Sequence, residues 1–432
     1  MRGFTDVSRR AIVVIALVAL VLRLAFVIAR DRPPVSDEID YHRLAWTLTT
    51  TGRYSDEGVP TAYRSIGYPA FVAAIYSVAG PRPEAVHAVQ AVLDAASAVL
   101  LFAIAGGGTL GLLAALFWAL FPAAILYTDL LMPETTFTAC LLAAACLTRR
   151  AFPATAGGAL ALGLCLGAAT LIRPAALLLV GALPVAAHLA RTAIPRPAPI
   201  LAGLLLVVAP WLARNAIVLH YPGLVTSTGV NLLIGKHPHA TGGYSPNVPK
   251  AMIPPAGPEA QRDLASMGSA FAYIGHEPGR AAVVGFAGLA QLFGSETGMT
   301  VWAFHPHPTD PSTRLRQKIR SLPWWIHAPV SGATLAFLLL GTLGLARMTR
   351  GPTLTWFLAL FGTLASIHFA FYGGSRYHFP LMPFFVLFTA AFVATWPESL
   401  RPPRRERALA VLVAWAGLLG IWAGEAAILF RA

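Results

Sequence analysis

Residues 9–30 read RRAIVVIALVALVLRLAFVIAR, and this stretch decides the fold class. Two arginines lead into an apolar run, Ala11 to Leu22 and on to Ala29, long enough as a helix to cross the roughly 30 Å hydrocarbon core of a bilayer. Runs of the same kind recur at about 84–105, 109–127, 131–148, 155–172, 174–190, 199–217, 326–346, 353–371, 377–396 and 408–428. The expectation is an all-α, polytopic membrane helix bundle of about 11 transmembrane helices, one transmembrane domain over 1–430, with amphipathic helices on its outer face. Pro122, Pro184, Pro210 and Pro383 fall within or near the ends of these runs, where neighbouring membrane helices satisfy the freed backbone groups. Composition agrees: of 432 residues 56% are hydrophobic and only 12% charged, with a mean hydropathy of +0.64, which leaves too little polar surface for a water-soluble domain. Val27-Ile28-Ala29 is a weak match to a signal cleavage site. An uncleaved first span is expected, because an acidic cluster at Asp37 follows within one loop and needs this helix to hold it at the membrane.

The net charge of +13 raises nucleic acid as a partner, but the basic residues sit between apolar runs rather than on one solvated face, so no nucleic acid is expected. Their placement reports orientation instead. Arg2, Arg9 and Arg10, then Arg149 and Arg150, Arg191 and Arg196, Arg347 and Arg350, and Arg401, Arg404, Arg405 and Arg407 all fall on one side of an eleven-span chain. By the positive-inside rule that side is the cytoplasm, with the N-terminus in it, as in a multi-pass protein of the cell (inner) membrane. Two long segments then lie outside: a first extracytoplasmic loop, 30–83, and a large one, 219–325. The apolar stretch 281–293 is short, and a span there would invert every later loop, so an interfacial or re-entrant helix is expected. Cys140, Cys146 and Cys165 lie inside apolar runs and form no disulfide framework.

The first outer loop carries Ser36-Asp37-Glu38-Ile39-Asp40-Tyr41, and Tyr41, Leu44, Ala45 and Leu48 follow at helical spacing, which describes an amphipathic helix on the membrane surface. Ser36 or Asp37 capping that helix is the plain reading of the acids. Gln90 and Asp94, four apart on one face of a span, are read as a contact between helices, and Glu425 likewise. His237 with His239, and His305 with His307, have no third ligand at a recognisable interval and read as solvated loop histidines. No P-loop, dinucleotide fingerprint or nucleophile elbow is present, which argues against a cytoplasmic nucleotide-sugar donor.

Asp37-Glu38 followed by Tyr41, Ala45, Gly52, Tyr54, Arg64 and Gly67-Tyr68-Pro69-Ala70-Phe71 resembles the first outer loop of bacterial GT-C glycosyltransferases, the group of protein mannosyltransferases (glycosyltransferase family 39) and aminoarabinose transferases. Leu131-Met132-Pro133-Glu134-Thr135, Leu171-Ile172-Arg173-Pro174, Pro210-Trp211 with Arg214-Asn215, Asn231 to Gly235, Thr241-Gly242-Gly243-Tyr244 and Arg376-Tyr377 through Pro380 and Pro383 resemble further stretches in the same order. Ile66 stands where a proline is common, and Lys236 where an asparagine is expected, which leaves the subfamily and the sugar open.

The resemblance implies transfer of a sugar from a polyprenyl-phosphate donor in the membrane lipid to an acceptor hydroxyl of a glycan, lipid or protein. A carboxylate must take the acceptor's proton: Asp37, with Glu38 as the alternative or as a partner that orients the acceptor. The leaving phosphate needs fixed cations, with Arg376 first, then Arg173, and Arg64 and Lys236 after them. The plain reading of Arg173 and Arg376 is snorkelling at span ends. Glu134 and Tyr41 are candidates for the acceptor or a divalent metal; Glu134 otherwise only favours a helix N-terminus. The rival class is a multi-pass transporter or lipid flippase, which would show internal symmetry and midplane charges in both halves.

Overall fold

The computed structural model describes residues 6–30, 32–151, 155–193, 196–305, 315–398 and 404–430. Arg2, Arg401 and His307 lie outside the described residues. The chain is a multi-pass, all-helical membrane bundle. Among the described residues seven helices are long and apolar enough to cross a membrane: α1 (Asp6–Ile28), α4 (Pro83–Ala105), α10 (Pro197–Leu219), α16 (Trp324–Leu345), α17 (Pro352–Ala370), the segment Ser375–Ala394, and α19 (Arg405–Phe430). An eighth is bent. Here α5 (Gly108–Leu120) and α6 (Pro122–Thr128) meet at 56°, because Pro122 cannot donate to the preceding turn. The other expected spans are shorter apolar helices: α7 (Glu134–Ala151), α8 (Ala156–Ile172), and a 3-10 turn Pro174–Leu178 continued by α9 (Leu179–Leu189). All eleven apolar segments are therefore helical.

Close backbone contacts set the packing. A Cβ at Gly163 would stand 2.1 Å from the Ile200 carbonyl and one at Gly203 2.3 Å from that of Leu160, so α8 and α10 touch along paired glycines. Gly344 meets Phe388 in the same way, joining α16 to α18 (Met382–Ala394). Large buried rings, Trp118, Trp356, Phe379 and Phe388 among them, fill the centre. Inside the bundle Arg23 of α1 pairs with Asp94 of α4 and also donates to the carbonyls of Ala119 and Trp118. Gln90 donates to the carbonyls of Thr128 (3.1 Å) and Leu130 (2.8 Å) and accepts from Tyr68. Both groups bind helix to helix, and Glu425 likewise accepts from the Ser295 N–H at 2.8 Å.

The two long connections meet at one end of the bundle. The first holds α2 (Asp37–Thr51), a two-stranded hairpin turning through Glu57 and Gly58, both at positive φ (49° and 83°), and α3 (Gly67–Ala79). Its second half is seated on the end of α8, since a Cβ on Gly67 would collide with the Leu171 carbonyl carbon at 2.4 Å. The second connection holds α11 (Thr228–Gly235), α12 (Glu259–His276), α13 (Pro278–Leu292), α14 (Thr297–Phe304) and α15 (Leu315–Ser321). Glu259 of α12 clamps it to the first, accepting from the Thr61 hydroxyl (2.7 Å), the Ala62 N–H (3.0 Å) and the Thr226 hydroxyl. The apolar stretch 281–293 lies in α13, which packs on α17 and on the turn before α18 and leaves Val283 and Phe286 exposed.

Candidate active site

The chain enters α2 through Ser36, whose φ of 51° is unusual for a side-chain-bearing residue and costs about 1–3 kcal/mol unless its surroundings impose it. Neither Ser36 nor Asp37 caps the helix. Ser36 makes no capping hydrogen bond, and the Asp37 carboxylate is taken by two arginines: Oδ1 accepts from Arg64 at 2.7 Å and Oδ2 from Arg376 at 2.8 Å. Arg64 reaches it from the first connection, 27 residues on, and Arg376 from a 3-10 turn, Ser375–Leu381, that precedes α18 and lies 339 residues away in sequence. Each arginine has a second anchor. Arg64 also donates to Asp40 at 2.8 Å, and Arg376 donates to the Tyr377 hydroxyl at 2.8 Å while its guanidinium lies over Trp302 of α14. Burial raises the Asp37 pKa, but the charges of Arg376 and Arg64 outweigh it and hold the carboxyl down at about 2.

Both arginines line a cavity of about 380 Å³. Arg173, at the end of α8, lines it too and is the third cation there; it donates to Glu134 at the start of α7 and lies 5.4 Å from the Tyr377 ring centre. Tyr377 therefore stands beside two guanidiniums. Tyr41, Tyr63 and Tyr372 add aromatic walls, Ser227, Thr228 and Asn231 add polar groups, and Ile172, Leu178 and Ile367 make an apolar side on membrane-level helices. Burial raises the Tyr41 pKa, opposed by Arg64, so its phenol stays protonated as a potential donor. Glu134 is 1% exposed and does not line the cavity; its Oε2 has no hydrogen-bond partner among the described residues.

Two expected site residues lie elsewhere. Glu38 is fully buried and its oxygens are occupied: Arg32 donates twice at 2.7 Å, and the N–H groups of Val35 (2.9 Å) and Leu131 (2.7 Å) complete the set. It fastens the start of α2 to the segment before α7. Lys236 is buried away from the cavity, where its ammonium donates to the carbonyls of Phe369 (2.8 Å) and Ala281 (3.1 Å), and burial pushes its pKa down. That is a brace between α11, α13 and α17. His237 also departs from expectation: it is fully buried and donates from Nε2 to the Ser245 carbonyl at 2.9 Å.

A divalent metal does not fit. Among the described residues no three His, Cys, Asp or Glu side chains converge on a metal position, and Asp37, Glu38, Glu134 and Asp129 each face an arginine. Sequence reasoning missed the rear support of the site, where Arg30 (2.8 Å) and Arg32 (3.2 Å) share Asp129. It also missed the cavity's far wall, where Tyr372 donates to Asn231 at 3.0 Å. The signal for the first was an acid between two spans opposite two arginines at the end of α1; nothing local marked the second.

No family model and no curated protein matches the chain. Among solved structures it is similar to ArnT from Cupriavidus metallidurans bound to undecaprenyl phosphate, at 12% identity over 88% of this chain and 76% of that one, with a TM-score of 0.43. It is also similar to the oligosaccharyltransferase of Archaeoglobus fulgidus in the apo form, at 13% identity over 96% of this chain and 56% of that one, with a TM-score of 0.46. The chain thus spans little more than half the length of the archaeal protein. What the three share is a GT-C-like helical membrane fold; the roles of Asp37, Arg64, Arg173 and Arg376 rest on this chain's own geometry.

Proposed function

We propose that the chain is a glycosyltransferase that moves a sugar from a polyprenyl-phosphate donor to an acceptor hydroxyl, working on the extracytoplasmic face of the cell membrane with its N-terminus in the cytoplasm. One observation carries the reading: three arginines, Arg64, Arg173 and Arg376, line one cavity with an apolar wall at membrane level, and a carboxylate, Asp37, stands against two of them. An amphiphile with a phosphate head and an isoprenoid tail matches that division. Its phosphate meets the guanidiniums where water is scarce and charge counts most, and its tail leaves along Leu178 and Ile367.

The acceptor oxygen attacks the sugar's anomeric carbon in a single displacement, which inverts it. Asp37 takes the hydroxyl proton as general base, and the arginines receive the charge that develops on the departing phosphate. Tyr41, Asn231 and the tyrosine walls face the space left for sugar and acceptor. The test is release of free polyprenyl phosphate from a panel of polyprenyl-phosphate sugars by purified protein in lipid, with a membrane extract as acceptor. One donor consumed by wild type, and not by folded Asp37→Asn, is the expected result. A variant that keeps full activity moves the base elsewhere, and a wild type that consumes no donor from the panel with any acceptor supplied favours transport.

A further inference from the structure

Resting on the transferase reading, we propose that Arg64 and Arg376 serve two anions in turn, holding the Asp37 carboxylate until a donor arrives and then passing to the donor's phosphate, so that phosphate binding itself releases the base. The geometry supplies the means. Each guanidinium takes one oxygen of Asp37, and each also lines the cavity, so a phosphate placed there competes with the carboxylate for the same donors. Each is also retained by a group that does not leave, Asp40 for Arg64 and the Tyr377 hydroxyl for Arg376, so letting go of Asp37 does not set the arginine adrift. The neighbouring pair differs: Arg173 is held by Glu134, which is almost fully buried and outside the cavity, and it remains in place as a third cation.

The reaction moves charge in the same direction. As the acceptor oxygen bonds to the anomeric carbon, the bond from that carbon to the phosphate oxygen breaks and its electron pair leaves with the phosphate. The acceptor's proton goes to Asp37. A carboxylate and a singly charged phosphodiester become a neutral carboxylic acid and a doubly charged phosphomonoester. Negative charge passes from one partner of the two arginines to the other, which makes their interaction stronger as the reaction advances. Clamped, Asp37 is a poor base, consistent with its depressed pKa. The ionisable groups around it are Arg64 from the first connection, Arg376 and Tyr377 from the turn before α18, Asp40 and Tyr41 from its own helix, and the Glu134–Arg173 pair.

The experiment measures binding of a polyprenyl methyl phosphate, a diester that carries no sugar and whose single charge does not titrate in the range used, to the full chain in lipid nanodiscs. Asp37→Asn and Asp37→Ala are expected to bind on the order of tenfold tighter than wild type, because the competing carboxylate is gone. In an Arg376→Gln background that gain should shrink, since one of the shared donors is absent. Simple repulsion between Asp37 and phosphate predicts the reverse, a gain that grows once Arg376 no longer screens the carboxylate, and that outcome overturns the handover while leaving the transferase reading intact. Wild type alone gives an independent check: binding should tighten as pH falls from about 6 to about 4, as a proton replaces the arginines on Asp37, and a flat profile counts against the proposal. Absence of binding by every form removes the handover and the phosphate site together.

Discussion

Asp37 and Glu38 are neighbours in sequence and alike in chemistry, yet they belong to two different regions. Glu38 faces the rear of the site with no exposure and four donors, two from Arg32 and two from the backbone, in a network that includes Arg30 and Asp129. Asp37 faces forward at 19% exposure, and its two donors are side chains that also line a cavity. Consecutive helical residues point about 100° apart, so a single step in sequence carries a carboxylate from a sealed structural knot to a surface a ligand reaches. Completeness of satisfaction separates the two: a carboxylate with every lone pair engaged by buried donors holds the fold, whereas one shared with cavity-lining cations is available to chemistry.

The largest effect that tests this contrast is on turnover. Asp37→Asn is expected to lower transfer by about 10²- to 10⁴-fold, the usual worth of a positioned general base, with only a modest loss of stability. Initial rates of polyprenyl phosphate release, beside a melting curve of the same sample, check both halves. Glu38→Gln should behave in the opposite way, losing about 3 kcal/mol of stability as Arg32 is left buried without its counter-charge, while the surviving folded fraction turns over at close to the wild-type rate. Equal losses of rate per folded molecule in the two variants would erase the distinction.

Lys236 sharpens the comparison from the other side. Lys236→Met should leave donor binding unchanged and lower stability by about 1–3 kcal/mol, because two buried carbonyls lose their donor. A loss of donor affinity, read by competition with a polyprenyl phosphate, would bring the residue back to the phosphate.

That assignment also shows where the sequence stopped being readable. The eleven apolar runs were legible because bilayer thickness imposes a length on each, and the first acidic loop because α2 repeats its apolar residues at helical spacing. Arg376 and Arg173 stand next to span boundaries, which placed them at headgroup depth without any knowledge of tertiary contacts. Lys236, in an irregular stretch, had no such ruler, and its direction is decided by α13 and α17, far away in the chain. The partners of Glu38 were hidden for the same reason: Leu131 lies 93 residues on, and its N–H is free only because the segment between α6 and α7 is not helical. His237 read as solvated because its surroundings are rich in Pro and Gly, but the second long connection folds back on itself and buries it.

The smallest expected effect concerns acid. Asp37 has a folded-state pKa of about 2, below the ordinary 3.8. A depressed carboxyl contributes stability above its unfolded pKa and loses it as pH falls through the folded one, so the window runs from roughly pH 4 down to pH 2. With partial exposure and screening taken into account, the contribution is about 1–2 kcal/mol. Wild type should lose that much more than Asp37→Asn across the window, read as the difference in their melting temperatures at each pH. Glu38→Gln should keep the wild-type slope there, because its substitution leaves Arg64, Arg376 and Asp37 together. If the slope instead disappears with Glu38→Gln and persists with Asp37→Asn, acid sensitivity belongs to the rear network, and the two arginines of the cavity hold Asp37 too loosely to tune it.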